Sequence, residues 1–162
     1  MDSRVAVESR PLVSWPDVSA ALDEVIAHCE KTLDVFDHAM TLQGWESSAR
    51  CNALAAAMHE RRAHVRVLLV DDGKVTAAMP RLINLLKTHG HRLTLMVTEN
   101  PPQSTASYVV ADRQHILFRP NSVHSRGSLH WCDPYKSTTY TNLFEVSWQQ
   151  GGRRIFPEAF GL

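Results

Sequence analysis

Residues 105–122 read TASYVVADRQHILFRPNS. Tyr108 to Ala111 is apolar, Asp112-Arg113-Gln114 breaks the run, and Ile116 to Phe118 resumes it. β-branched and aromatic residues bounded by Asp, Asn and Pro predict a β-hairpin. Two strands cannot bury themselves alone, so the rest of the chain must supply the sheet they join.

Upstream, HVRVLLV at His64–Val70 is a strand, and its run Val67–Leu69 suggests a central position buried on both faces. Leu33–Asp37 and Arg92–Thr98 are two more. Helices alternate with them. One opens at Pro16-Asp17 and runs to about Lys31, with Val18, Ala21, Leu22, Val25 and Ile26 at helical spacing. Another runs from Ser47 to Arg62, and a third from Met79-Pro80 to Gly90, after a break at Asp71–Lys74. Downstream of the hairpin, 121–133 reads as a polar loop with a short strand at Leu129–Trp131. Pro134 starts a last helix whose Tyr140, Leu143, Phe144, Val146 and Trp148 form a broad apolar face, and Gly151-Gly152 ends it. The tail should dock through Ile155, Phe156 and Phe160. Residues 1–16 read as an N-terminal arm or first edge, and 17–162 as one domain. Strands alternating with helices are the pattern of an α/β sheet.

The chain has 162 residues, 44% apolar and 21% charged, enough to bury a core and too apolar for wholesale disorder. Seventeen basic residues balance seventeen acidic ones. Any surface for nucleic acid must therefore be a local patch. Cys29, Cys51 and Cys132 lack the spacing of a disulfide framework. No segment reads as a secretory leader or reaches membrane-spanning length, so a cytoplasmic setting without membrane insertion is expected.

The hairpin stretch resembles the signature of the phospholipase D superfamily, His-x-Lys-x4-Asp followed by Gly-Ser-x-Asn. Thr105 stands for the histidine, Ser107 for the lysine, and Asp112 for the aspartate, which alone survives. Arg119, Pro120, Asn121 and Ser122 stand for Gly-Ser-x-Asn. The order of elements from about residue 17 onward is similar too, and the chain resembles single-copy bacterial domains of the superfamily that have lost the signature. The resemblance implies an α/β fold: a phospholipase D-like mixed sheet flanked by helices on both faces, with the signature hairpin and a C-terminal helix. It also implies a homodimer, because single-motif members build their site across a two-fold axis.

In active members the histidine attacks a phosphodiester and the lysine binds its oxygens. Thr105 has no base to activate it, and Ser107 carries no charge to hold phosphate. The expected role is a non-catalytic binding or scaffold module, with a protein or an anionic, phosphate-bearing molecule as partner, and no cofactor. The alternatives are a hydrolase or transferase acting on a phosphorylated substrate through His115 or His124, and a nucleic-acid-binding remnant of a nuclease-like ancestor. Arg119, Arg126, His115, His124 and Asn121 are the candidate ligand-binding residues. Arg113, Arg119 and Arg126 read equally as solvated hairpin charges. His124-Ser125-Arg126 imitates His-x-Lys, but Trp131 stands where the aspartate should be.

Other groupings have structural readings beside functional ones. His130-Trp131-Cys132-Asp133 with His124 lacks the paired spacing of a zinc site, so no metal is expected. His89 and His91 flank a helix-terminating Gly90, and Asp71-Asp72 precede Gly73 as in a capped turn, though carboxylates there could also serve Mg²⁺ or acid–base chemistry. Asp37-His38 sits at the same kind of strand end.

Overall fold

Strand β2 (Thr32–Asp37) sends Leu33 and Val35 to one side of the sheet and Asp34 and Phe36 to the other. The same two-residue period splits β3 (His64–Leu69) and β4 (Leu93–Thr98), and so creates two cores. The structure is a computed structural model describing residues 8–40 and 44–157. Eight strands form one sheet in the order β1-β7-β6-β5-β2-β3-β4-β8, adding β1 (Glu8–Leu12), β5 (Ser107–Ala111), β6 (His115–Arg119), β7 (Gly127–Trp131) and β8 (Gly152–Arg154). Strands β2, β3 and β4 pair in parallel, and every other pairing is antiparallel.

Helices cover both faces. On the larger core lie α1 (Trp15–His28), α2 (Ser48–Glu60), α3 (Gly73–Ala78) and α4 (Pro80–His89), contributing among others Leu22, Ile26, Leu54, Met58, Val75 and Leu82. On the smaller core lies α5 (Pro134–Gln149), whose Phe144 packs with Phe36, Leu68, Tyr108 and Ile116. This is the phospholipase D-like mixed α/β architecture. Ser14 starts α1 with a reciprocal cap: its hydroxyl accepts from Asp17 N, and the Asp17 carboxylate accepts from Ser14 N.

Several elements differ from expectation for physical reasons. From Glu8 onward the expected arm is part of the sheet, pairing with β7 from Glu8↔Trp131 to Leu12↔Gly127, and α1 opens at Trp15. Strand β7 is longer than Leu129–Trp131 because β1 and β6 both pair with its backbone, which needs no apolar alternation. Helix α3 occupies the expected break after Asp72 and buries Val75 alone. The apolar face of α5 is narrower than its sequence implies. Tyr140, Phe144 and Trp148 meet the sheet with buried Ser137 and Thr141, while Leu143 and Val146 are exposed. In the tail Ile155 is buried and Phe156 is exposed; Phe160 lies outside the described residues.

An ion-pair network lies under α5. Arg66 donates to Asp34 at 2.9 and 3.2 Å and also to Glu145, and its guanidinium packs over the Phe144 and Trp148 rings. Burial works against its charge, but hydrogen bonds to Glu145 and Asp34 outweigh this and raise its pKa.

Candidate functional site

The parallel strands give the sheet two distinct ends. At their carboxyl end β2 finishes at Asp37, β5 begins at Ser107 and β6 finishes at Arg119, with Ser107 and Arg119 directly opposed. Ser107 is only 4% exposed. Its hydroxyl donates to Phe36 O at 3.1 Å and accepts from Arg119 Nη2 at 3.2 Å. The small serine leaves room for the long arginine, whose guanidinium fills the space between β5, β6 and α1.

Arg119 is 1% exposed, which corrects its reading as a ligand-binding or solvated hairpin cation. Its Nη1 donates to the carbonyls of Ser122 (2.8 Å) and His124 (2.9 Å). Asp37 lies 3.9 Å from Nη2, and the guanidinium sits over the Trp15 ring at 5.3 Å. Burial lowers its pKa, and Asp37 opposes that shift. Around this buried cation, Thr105 donates its hydroxyl to Pro120 O at 2.9 Å. The Asn121 side chain accepts from Val123 N at 3.0 Å and so builds the turn. His124 and Arg126 are exposed. The structure thus gathers Thr105, Ser107, Arg119, Asn121, His124 and Arg126 at one end, and the first four are occupied with internal hydrogen bonds.

Asp112 and His115 lie elsewhere. Five residues of β5 separate Ser107 from Asp112, roughly 17 Å of extended chain, so the surviving motif aspartate orients nothing near Thr105. Instead its carboxylate gathers three consecutive backbone N–H groups: Glu30 (3.0 Å), Lys31 (2.7 Å) and Thr32 (3.0 Å). Its own N–H donates to Thr32 O at 2.8 Å. Burial, then the Asp112 carboxylate, pushes the neighbouring Cys29 thiol up to about 12. Arg113 follows in the same turn, so it does not cluster with Arg119 and Arg126.

His115 lines a cleft of about 650 Å³ at this amino end, with Arg10, Glu24, His28, Lys31 and Trp131. Its ring packs against Trp131 at 4.7 Å, and His28 meets the same indole at 5.3 Å. His115 Nδ1 must accept, because its partner at 2.9 Å is the Cys132 N–H. His28 Nδ1 must donate, because its partner at 2.9 Å is the Glu24 carbonyl. Neither Trp131 nor His28 is recognisable as a cleft residue from sequence, since β7, which carries the tryptophan there, reads mostly as loop.

Burial holds the His115 imidazole below its ordinary pKa, with Asp112 opposing and His28 reinforcing. An unfolded chain takes up this proton near pH 6.5, and the folded ring only at lower pH. The resulting stability is present above pH 6.5 and is lost as pH falls through the folded value. The melting temperature should therefore drop between pH 7 and pH 5, and drop less in His115→Phe. The remainder comes from His89 and His130, both also lowered chiefly by burial. An identical pH profile in the variant would refute this assignment.

The remaining groupings have structural partners. Asp71 accepts from Gly73 N at 2.8 Å, and Asp72 pairs with Arg153 at 2.8 Å. His130 contacts Ser128 Oγ at 2.8 Å and lies 4.0 Å from Asp133. Among the described residues no group of three or more His, Cys, Asp or Glu side chains could hold a metal ion, and no helix is long and apolar enough to cross a membrane.

Comparison with solved structures places this architecture among phospholipase D-like folds. Nuc from Salmonella typhimurium, a phospholipase D family member, is 16% identical with a TM-score of 0.70, covering 93% of this chain and 99% of Nuc. NucT from Helicobacter pylori is 8% identical with a TM-score of 0.62, covering 91% of this chain and 99% of NucT. TrmBL2, an archaeal chromatin protein with a novel mode of DNA binding, is 10% identical with a TM-score of 0.68. That match covers 94% of this chain but 56% of TrmBL2, so the chain spans little more than half of that protein. These identities speak for the fold alone. No curated protein sequence matches. A family model does match, from the first residue of α1 to the residue after β8: residues 15–155 fit the domain of unknown function DUF7931, and the chain belongs to that family.

Proposed function

We propose that this chain is a non-catalytic binding module on a phospholipase D-like fold, with an anionic, phosphate-bearing partner. The observation that carries this is the Ser107–Arg119 contact. The position of the phosphate-binding lysine is a buried serine, and the one cation nearby is spent on carbonyls inside the domain. No imidazole stands at Thr105 to attack phosphorus, and its hydroxyl already donates to Pro120 O. The test is turnover of bis(p-nitrophenyl) phosphate. Background hydrolysis is expected for the wild type, Ser107→Ala and Thr105→Val alike. Release that falls with either substitution, or with His124→Ala, would end this reading. A homodimer belongs to the same proposal. Thr105, His124 and Arg126 are exposed at the carboxyl end, where two copies could meet, and light scattering at micromolar concentration tests it.

A second reading, an enzyme with a rearranged site acting on a phosphorylated substrate, is favoured by one observation. His28 and His115 flank Trp131 in the largest cleft with opposite hydrogen-bond polarity at Nδ1. A phosphatase or phosphotransferase rate lost in His115→Phe would select it.

A further inference from the structure

The edge opposite the pseudo-motif carries the cations that have no acid. Register brings Thr32 beside His64 and Val65 beside Leu93, so the residues leading into β2, β3 and β4 share one edge. These are Lys31, Arg62 with His64, and His91 with Arg92. Arg92 Nη1 donates to Arg62 O at 2.6 Å and lies 3.4 Å from His64 Nε2, which ties the two turns together. Lys31, Arg62, His64 and His91 are exposed.

Most other arginines are neutralised: Arg10, Arg50, Arg66, Arg81, Arg119 and Arg153 all have carboxylates within ion-pair distance. Among the described residues Lys31, Arg62 and Arg92 have none. Two carboxylates, Glu30 and Glu60, flank the row without pairing to it. The overall neutral charge of the chain therefore conceals a local positive strip.

We infer that this amino-terminal edge of the sheet binds the phosphate backbone of a nucleic acid without reading its sequence. The inference rests on the binding-module reading and names its partner and surface. Neighbouring strands lie about 4.8 Å apart, so the three cations span about 10 Å along an open edge. Such a row suits a linear polyanion better than a single phosphate, which isolated exposed cations hold weakly. It lacks the apolar flank that would insert into a membrane surface. Helices α2 and α4 also end here, and their carboxyl-terminal dipoles favour the cations while weakening the pull on an anion. Binding should accordingly be modest, in the range of about 10⁻⁴ to 10⁻⁶ M usual for non-specific contacts.

The experiment is fluorescence anisotropy with a labelled thymidine 20-mer at 50 and 200 mM salt. With two to three phosphates neutralised, the log–log salt slope should be about −2 for a single strand. Lys31→Glu and Arg62→Glu, both at exposed positions, should each weaken binding about tenfold or more, and Arg126→Glu at the far end less than twofold. No binding with 100 μM protein at ~50 mM salt, conditions that favour non-specific contacts, would overturn the inference. So would binding that survives both edge substitutions and is lost in Arg126→Glu, which would place the anion at the pseudo-motif end. Turnover in the phosphodiester assay would refute the absence of catalysis without moving these binding data.

Discussion

Arg119→Met should cost about 3–5 kcal/mol of folding stability, the usual range when one partner of a buried charge pair is removed. The methionine fills much of the volume but donates nothing. The carbonyls of Ser122 and His124 lose donors at 2.8 and 2.9 Å, Ser107 loses the donor to its hydroxyl, and buried Asp37 loses its cation. For a domain of this size the melting temperature should fall by roughly 2–4 °C for each kcal/mol. Arg119→Lys should recover less than half, because one ammonium cannot span both carbonyls and the serine from the end of β6. A loss below 1 kcal/mol for Arg119→Met in a urea titration would show that this guanidinium does not organise the carboxyl end.

The second large effect is expected at Asp112. Asp112→Ala removes the acceptor for three backbone N–H groups and places a β-carbon at φ 55°, a left-handed conformation that Asp and Asn tolerate and Ala resists. The two effects together should cost about 3 kcal/mol. Asp112→Asn keeps the conformation and one acceptor oxygen, and should cost roughly half as much. Asp112→Gly relieves the backbone but not the N–H groups, so it should fall near the alanine variant. Equal stability of the asparagine and alanine variants, measured by thermal or denaturant unfolding, would rule out the backbone contribution.

The parallel strands and the hairpin were readable from sequence because burial forces a pattern on them. Val65, Val67 and Leu69 feed one core while Leu68 feeds the other, and no turn or helix reproduces that spacing with such β-branched content. α5 was read too apolar for the opposite reason: Ser137 and Thr141 take inward positions that hydropathy assigns outward. The site was harder. An arginine before a proline at a strand end looks solvated, and only the cross-strand pairing with Ser107 reveals a slot beneath it. Asp112 kept its place in the motif, yet its partners are backbone N–H groups of the turn between α1 and β2, which leave no trace in side-chain identity. The cation row was invisible as a unit because register, not sequence proximity, assembles residues 31, 62 and 92.

Both outermost strands are short and guarded. β1 carries Glu8, Arg10 and Pro11, while β8 has three residues, two of them exposed arginines, with Pro157 soon after. Charge and proline are the devices that keep an unpaired ladder from recruiting another chain. This sheet is therefore closed to growth by strand addition. Self-association must use helix or loop surfaces, and fibre-like stacking should stay suppressed even in variants that loosen the core.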